Sequence, residues 1–150
     1  MDLILWRHAE AEPGEPDLGR RLTTKGIKQA ERMAPFLERH LPDTCRILVS
    51  PADRAQQTAQ ALQRKFRTVP ELAPGATVAG VLAAANWPDS REPVLIVGHQ
   101  PTLGMVASFL LSGEETYWAV RKGAVWWLSN RVRDGSSAIV LKVVVGPDFV

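Results

Sequence analysis

Hydrophobic and polar positions alternate along this chain with two periods, and the change from one to the other marks its elements. Residues 2–7 carry a short unbroken apolar run, Leu3 to Trp6, with no helical spacing, so they read as a buried strand. Residues 9–22 are polar and rich in Pro and Gly and read as a loop. From Thr23 or Thr24, either a suitable cap, to about Leu41, apolar residues recur every three or four positions. Ile27, Ala30, Met33, Ala34 and Leu37 form one face of a helix that Pro42 ends. "RILVS" at 46–50 predicts a second buried strand, and 51–66 a helix with Pro51 near its first turn and Ala55, Ala59 and Leu62 on one face.

The second half continues the alternation. An extended piece over 68–72 precedes a loop at Pro74-Gly75, and 77–86 read as helix. "PVLIVGH" at 93–99 is another continuous apolar strand, and the helix expected over 102–111 follows Pro101. Two late strands, 124–130 and 138–145, flank a turn near Gly135-Ser136. There is no repeat, linker or low-complexity tract. Strands that are apolar throughout and alternate with helices predict an α/β fold: a mostly parallel central sheet flanked by helices on both faces, with the last hairpin as an antiparallel edge. At 150 residues one domain, 1–150, is expected.

Composition adds mainly exclusions. Hydrophobic residues make up 45% and charged residues 23%, ordinary for a globular protein. A net charge of +2 without a basic run gives no support for nucleic-acid binding, although a pI near 9.0 favours anionic ligands. The lone Cys45 rules out an intrachain disulfide and argues against a thiolate zinc site. No stretch approaches a membrane span, and the first apolar run is too short for a signal peptide, so a cytoplasmic setting is expected.

In open α/β sheets, ligands sit beyond the C-terminal strand ends. Three ends carry chemistry here: Arg7-His8, Ser50 with Arg54 just beyond, and Gly98-His99. Arginine forks pair with phosphate oxygens, and a neutral imidazole can attack phosphorus and carry the phosphoryl group. Arg54 near a helix start adds backbone donors for an anion. Two histidines and two arginines converging at one sheet edge therefore suit phosphoryl chemistry without a metal or other cofactor. Arg20 and Arg21 sit in the first loop, at the expected rim. Taken singly, each piece has a plainer reading: a surface RH pair, a His99 that bonds a loop, a solvated Arg54. His40, near a helix end, reads as structural, and the five tryptophans read as core or pocket wall.

Four blocks together, "RHAEAE" at 7–12, "LTTKGIKQA" at 22–30, "SPADRAQQTA" at 50–59 and "VGHQPTLG" at 97–104, resemble the histidine phosphatase superfamily, and most closely its small SixA-type phosphohistidine phosphatases. The resemblance spans about 1–110 and leaves 112–150 without a usable motif. It implies a three-layer, phosphoglycerate-mutase-like fold. It also implies His8 as nucleophile, Arg7 and Arg54 as phosphoryl clamps, His99 completing the pocket and Arg21 facing it. The implied substrate is a phosphorylated protein, such as a histidine-containing phosphotransfer protein; no nucleic-acid or membrane partner is expected, and the default state is a monomer. Larger members carry a carboxylic acid in an insertion after the second arginine. Here that stretch is short, and Glu71 is the candidate. Two alternatives stay open: a small-molecule phosphomonoesterase using Glu71 as general acid, and a non-catalytic phosphoprotein-binding module.

Overall fold

The computed structural model describes residues 1–150. Six strands form one sheet in the order β3-β2-β4-β1-β5-β6. They are β1 (Asp2–Arg7), β2 (Arg46–Val49), β3 (Arg67–Thr68), β4 (Val94–Gly98), β5 (Val125–Arg133) and β6 (Ser136–Val145). β3, β2, β4 and β1 run parallel, and β5 and β6 add an antiparallel edge. The helices are α1 (Thr24–His40), α2 (Asp53–Gln60), α3 (Val78–Ala84) and α4 (Thr102–Ser112).

The unbroken apolar runs of β1 and β4 follow from the layering. Side chains alternate across a strand, and here both faces are covered. Leu3 and Leu5 pack with Val81 of α3 and with Leu103 and Val106 of α4. Ile4 and Trp6 point the other way, against Met33 and Leu37 of α1 and Ala55 and Ala59 of α2. No polar face remains to break the run, as in parallel sheets generally. The mostly parallel sheet with an antiparallel hairpin edge is thus the expected architecture.

Several local expectations are corrected. Ile27 is 42% exposed; the buried position beside it is Gly26. The backbone of Glu10 crosses α1 there so closely that a Cβ on Gly26 would lie 2.0 Å from the Glu10 carbonyl oxygen. α2 stops at Gln60, not 66. Tighter bonds from the Ala61 and Leu62 amides to Thr58 and Ala59 close it, and Gln63 turns the chain at φ 55. This early exit lets Arg67 and Thr68 pair with Leu48 and Val49. The extended piece expected over 68–72 shrinks accordingly to β3 and a 3-10 turn, Pro70–Leu72. The hairpin turns one residue earlier than expected, at Asp134-Gly135, both at positive φ.

Candidate active site

β1, β4 and β2 are neighbours, so their ends meet. Arg7 lies opposite Gly98 in the parallel register, which sets His8 and His99 side by side one residue later. The His8 amide donates to the Gly98 carbonyl at 3.0 Å, extending the ladder past the strand. The two imidazole centroids are 5.0 Å apart, tilted by 53°. On the far side of β4, the Ser50 amide donates to the Val97 carbonyl, and the turn into α2 places Arg54 in its first turn. His8, His99 and Arg54 are all buried.

The hydrogen bonds fix how these groups present themselves. His8 Nδ1 lies 2.7 Å from the Ala9 carbonyl oxygen. A carbonyl only accepts, so Nδ1 carries the proton and the neutral ring keeps its lone pair on Nε2. The Ala9 amide is tied in turn to Thr58 Oγ1, which donates to the Arg54 carbonyl. His99 Nε2 is 2.7 Å from Ser50 Oγ, which accepts from the Ala52 amide. Arg7 donates from Nη1 to the Val120 carbonyl, and the Gly123 amide donates to the His8 carbonyl. Residues 112–150, which carry no motif, therefore close the back of the site with backbone atoms.

Arg54 reaches the first loop. Its Nη1 donates to the Asp17 carbonyl at 2.8 Å and its Nη2 to Asp17 Oδ2 at 3.1 Å, while Arg20 holds Oδ1 of the same carboxylate at 3.0 Å. The two arginines hold the Asp17 carboxyl below its usual range, chiefly through these bonds. Arg21, expected at the rim, is exposed and its side chain makes no bond to the cluster; Arg20 is the loop cation whose charge reaches His8. Glu71 is exposed on the Pro70–Leu72 turn and forms no ion pair or side-chain hydrogen bond. Asp17 belongs to no motif in the sequence, although its spacing of three from Arg20 is a usable signal. Ser50 stands out in the sequence only as a strand end.

Buried polar atoms are nearly always paired. Here four buried side-chain atoms are not, and three of them, Arg7 Nε, Arg54 Nε and His99 Nδ1, belong to this cluster. The concentration of unmet nitrogen atoms beside two guanidinium groups is chemically suited to an anion. Burial pushes His8 down to about 4 and His99 down to about 3, and the neighbouring positive charges reinforce both shifts. Burial also lowers Arg7, which stays charged. The pocket at neutral pH therefore holds neutral imidazoles among cationic arginines.

These shifts have a sign for stability. The unfolded rings titrate near 6.5, so between 6.5 and the folded values the unfolded chain binds more protons than the native one. Stability is then full above about pH 6.5 and declines as the pH falls toward 4 and 3. Thermal melts across this window should show a falling midpoint, with a shallower fall in His99→Gln. A midpoint flat from pH 7 to 4 contradicts the buried neutral pair.

With this geometry established, comparison with known proteins places the chain. Residues 3–77 match the family model of the histidine phosphatase superfamily, branch 1. The phosphohistidine phosphatase SixA of Escherichia coli K12 is 32% identical over 124 residues, 76% of this chain and 76% of the relative. The SixA homolog of Haemophilus influenzae is 32% identical over 126 residues, 73% of this chain and 77% of its own. The solved structure of the protein histidine phosphatase SixA complexed with tungstate superposes with a TM-score of 0.76 at 26% identity, over 99% of this chain and 98% of that one. A phosphoserine phosphatase from Entamoeba histolytica in complex with phosphoserine shares the fold alone, with a TM-score of 0.72 at 17% identity over 99% of this chain and 98% of its own. Matches of this extent, in sequence and in fold, leave one assignment: the chain belongs to the histidine phosphatase superfamily and is a phosphatase.

Proposed function

We propose that this phosphatase hydrolyses phosphohistidine on proteins, through a phosphoryl group carried on His8 and without a metal. The single observation that carries the reading is the His8 hydrogen bond. With Nδ1 donating to the Ala9 carbonyl, Nε2 is left with the ring's free lone pair.

Nε2 of His8 attacks phosphorus in line, and the P–N bond to the substrate imidazole breaks. That imidazole takes the bonding pair and leaves neutral when its second nitrogen carries a proton, so no protein acid has to supply one. Arg7 and Arg54 stabilise the phosphoryl oxygens, and the unpartnered His99 Nδ1 lies buried in the same cluster. For Nδ1 to donate to an oxygen, Ser50 must donate its hydroxyl proton to Nε2, so Ser50 fixes the tautomer. The ring of phosphorylated His8 is cationic, with the Ala9 carbonyl accepting from Nδ1. Water then attacks phosphorus, the bond to Nε2 breaks with its electrons returning to His8, and the water's proton leaves with solvent or phosphate.

The relatives support this reading. Two are described as phosphohistidine phosphatase SixA or its homolog, and a SixA structure holds tungstate, an oxyanion like phosphate. The site also carries its own positive charge in Arg7, Arg54 and Arg20. The test is phosphate release from a histidine-phosphorylated protein and from a panel of phosphomonoesters, under excess chelator, for wild type and Glu71→Gln. Fast chelator-resistant release from phosphohistidine, unchanged in Glu71→Gln, is expected. Preference for a monoester that collapses in Glu71→Gln moves the function to small-molecule hydrolysis, and tight anion binding without turnover reduces the protein to a binding module.

A further inference from the structure

A groove of about 860 Å³ runs from Arg7 to the C-terminal turn Pro147–Phe149. That volume is typical of sites enclosing a drug-sized ligand and far exceeds one phosphoryl group. Its walls come from distant parts of the chain. Lys25 and Gln29 stand on α1, Gln100 follows His99, and Arg121 and Lys122 lie on the loop before β5. Arg7 belongs both to this groove and to the catalytic cluster, and Gln100 is the neighbour of His99, so the groove abuts the cluster.

The groove is braced by internal bonds. Gln29 Oε1 accepts from the Glu10 amide at 2.9 Å. Gln100 accepts from the Gly104 amide and donates to the Trp118 carbonyl, pinning the loop to α4. Arg7 donates to Val120 of that loop. Such a groove is available to a ligand without reorganisation.

Its charge is uneven. Four cations, Arg7, Lys25, Arg121 and Lys122, face two carboxylates, Glu10 and Asp148. Glu10 is already engaged, by Lys122 at 3.8 Å and by the Thr23 hydroxyl at 2.9 Å. Lys25 and Arg121 are exposed and enter no ion pair. The lining also includes the half-buried Trp126 of β5 and Phe149 of the C-terminal turn, the latter 83% exposed. An exposed aromatic group beside unpaired cations is characteristic of a recognition surface.

We propose that this groove holds the substrate polypeptide flanking the phosphorylated histidine, and that the segment it fits is acidic, with an apolar side chain against the exposed Phe149. The inference rests on the phosphohistidine reading above and deepens it. Arg7 would hold the phosphoryl group while Lys25 and Arg121 select carboxylates beside it, charge complementarity acting on both encounter and register.

Two synthetic peptides test it, each carrying one histidine phosphorylated with phosphoramidate, flanked by glutamates in one and by lysines in the other. Phosphoramidate itself serves as the substrate without a flank. In wild type, kcat/KM for the acidic peptide should exceed that for the basic one by about tenfold or more at low salt, and the gap should narrow at high salt. In the double variant Lys25→Glu, Arg121→Glu, the ratio of acidic-peptide to phosphoramidate kcat/KM should fall about tenfold. Equal turnover of the two peptides, or a preference that survives the double variant, overturns the groove while leaving phosphohistidine hydrolysis intact. Failure to hydrolyse phosphoramidate and both peptides removes the underlying reading, and the groove with it.

Discussion

His8→Ala loses phosphatase turnover by about 10⁴-fold or more, equivalent to about 5 kcal/mol of barrier. The size follows from the site. No other nucleophile is free in the cluster: His99 Nε2 is engaged by Ser50, and the Asp17 carboxylate is held by Arg54 and Arg20. The arginine clamp survives in the variant, so phosphate or tungstate binding should persist while turnover does not. The variant should also fold. It removes a buried imidazole that resists protonation, so its stability should fall less steeply than wild type between pH 6.5 and 4. Steady-state rates with anion binding by calorimetry check both halves. Turnover within tenfold of wild type removes His8 from the mechanism.

Gly104→Ala carries the second large effect, and it acts at a distance. Gly104 sits in α4 under the loop that leads to β5, where a Cβ would lie 1.8 Å from the Trp118 carbonyl oxygen and 3.0 Å from Gln100 Oε1. The first obstacle is backbone and cannot rotate away, so the helix or the loop must move. Overpacking of this kind costs about 1–3 kcal/mol, and more where backbone must move. The loop also carries Val120, whose carbonyl holds Arg7, and Gly123, whose amide holds the His8 carbonyl. Loss of stability in urea should therefore come with loss of catalytic rate. Stability within about 0.5 kcal/mol of wild type contradicts the close approach.

Much of this architecture is legible in the residues. Leu3 to Trp6 and Val94 to Val97 are apolar at every position because each faces helices on both sides. A strand of that kind announces a covered parallel sheet, and the residues just past it announce the functional edge. Arg7-His8, Arg54 and Gly98-His99 were therefore visible as candidates, and the structure brings them together. The groups that complete the site were harder to see. Val120 and Gly123 contribute only backbone atoms, which no side-chain pattern can reveal. Asp17 and Arg20 sit in a loop without periodicity, and choosing Arg20 over its neighbour Arg21 depends on a turn that is fixed by long-range contact with Arg54. The exposure of Ile27 has a similar origin. Helical spacing placed it on the inner face, but the close crossing of Glu10 gives that place to Gly26. Periodicity predicts which face of an element is buried, and tertiary contacts decide where that face ends.

In the proposed mechanism the phosphoryl group passes through His8 Nε2. The most direct measurement is to mix the enzyme with a histidine-phosphorylated peptide, quench in alkali within one turnover, and read the intact mass and the labelled residue. One acid-labile phosphoryl group per chain is expected, on His8, formed before free phosphate appears and absent from His8→Ala. Phosphate released from the first turnover with no phosphoenzyme, or a phosphoryl group on any other residue, would contradict it.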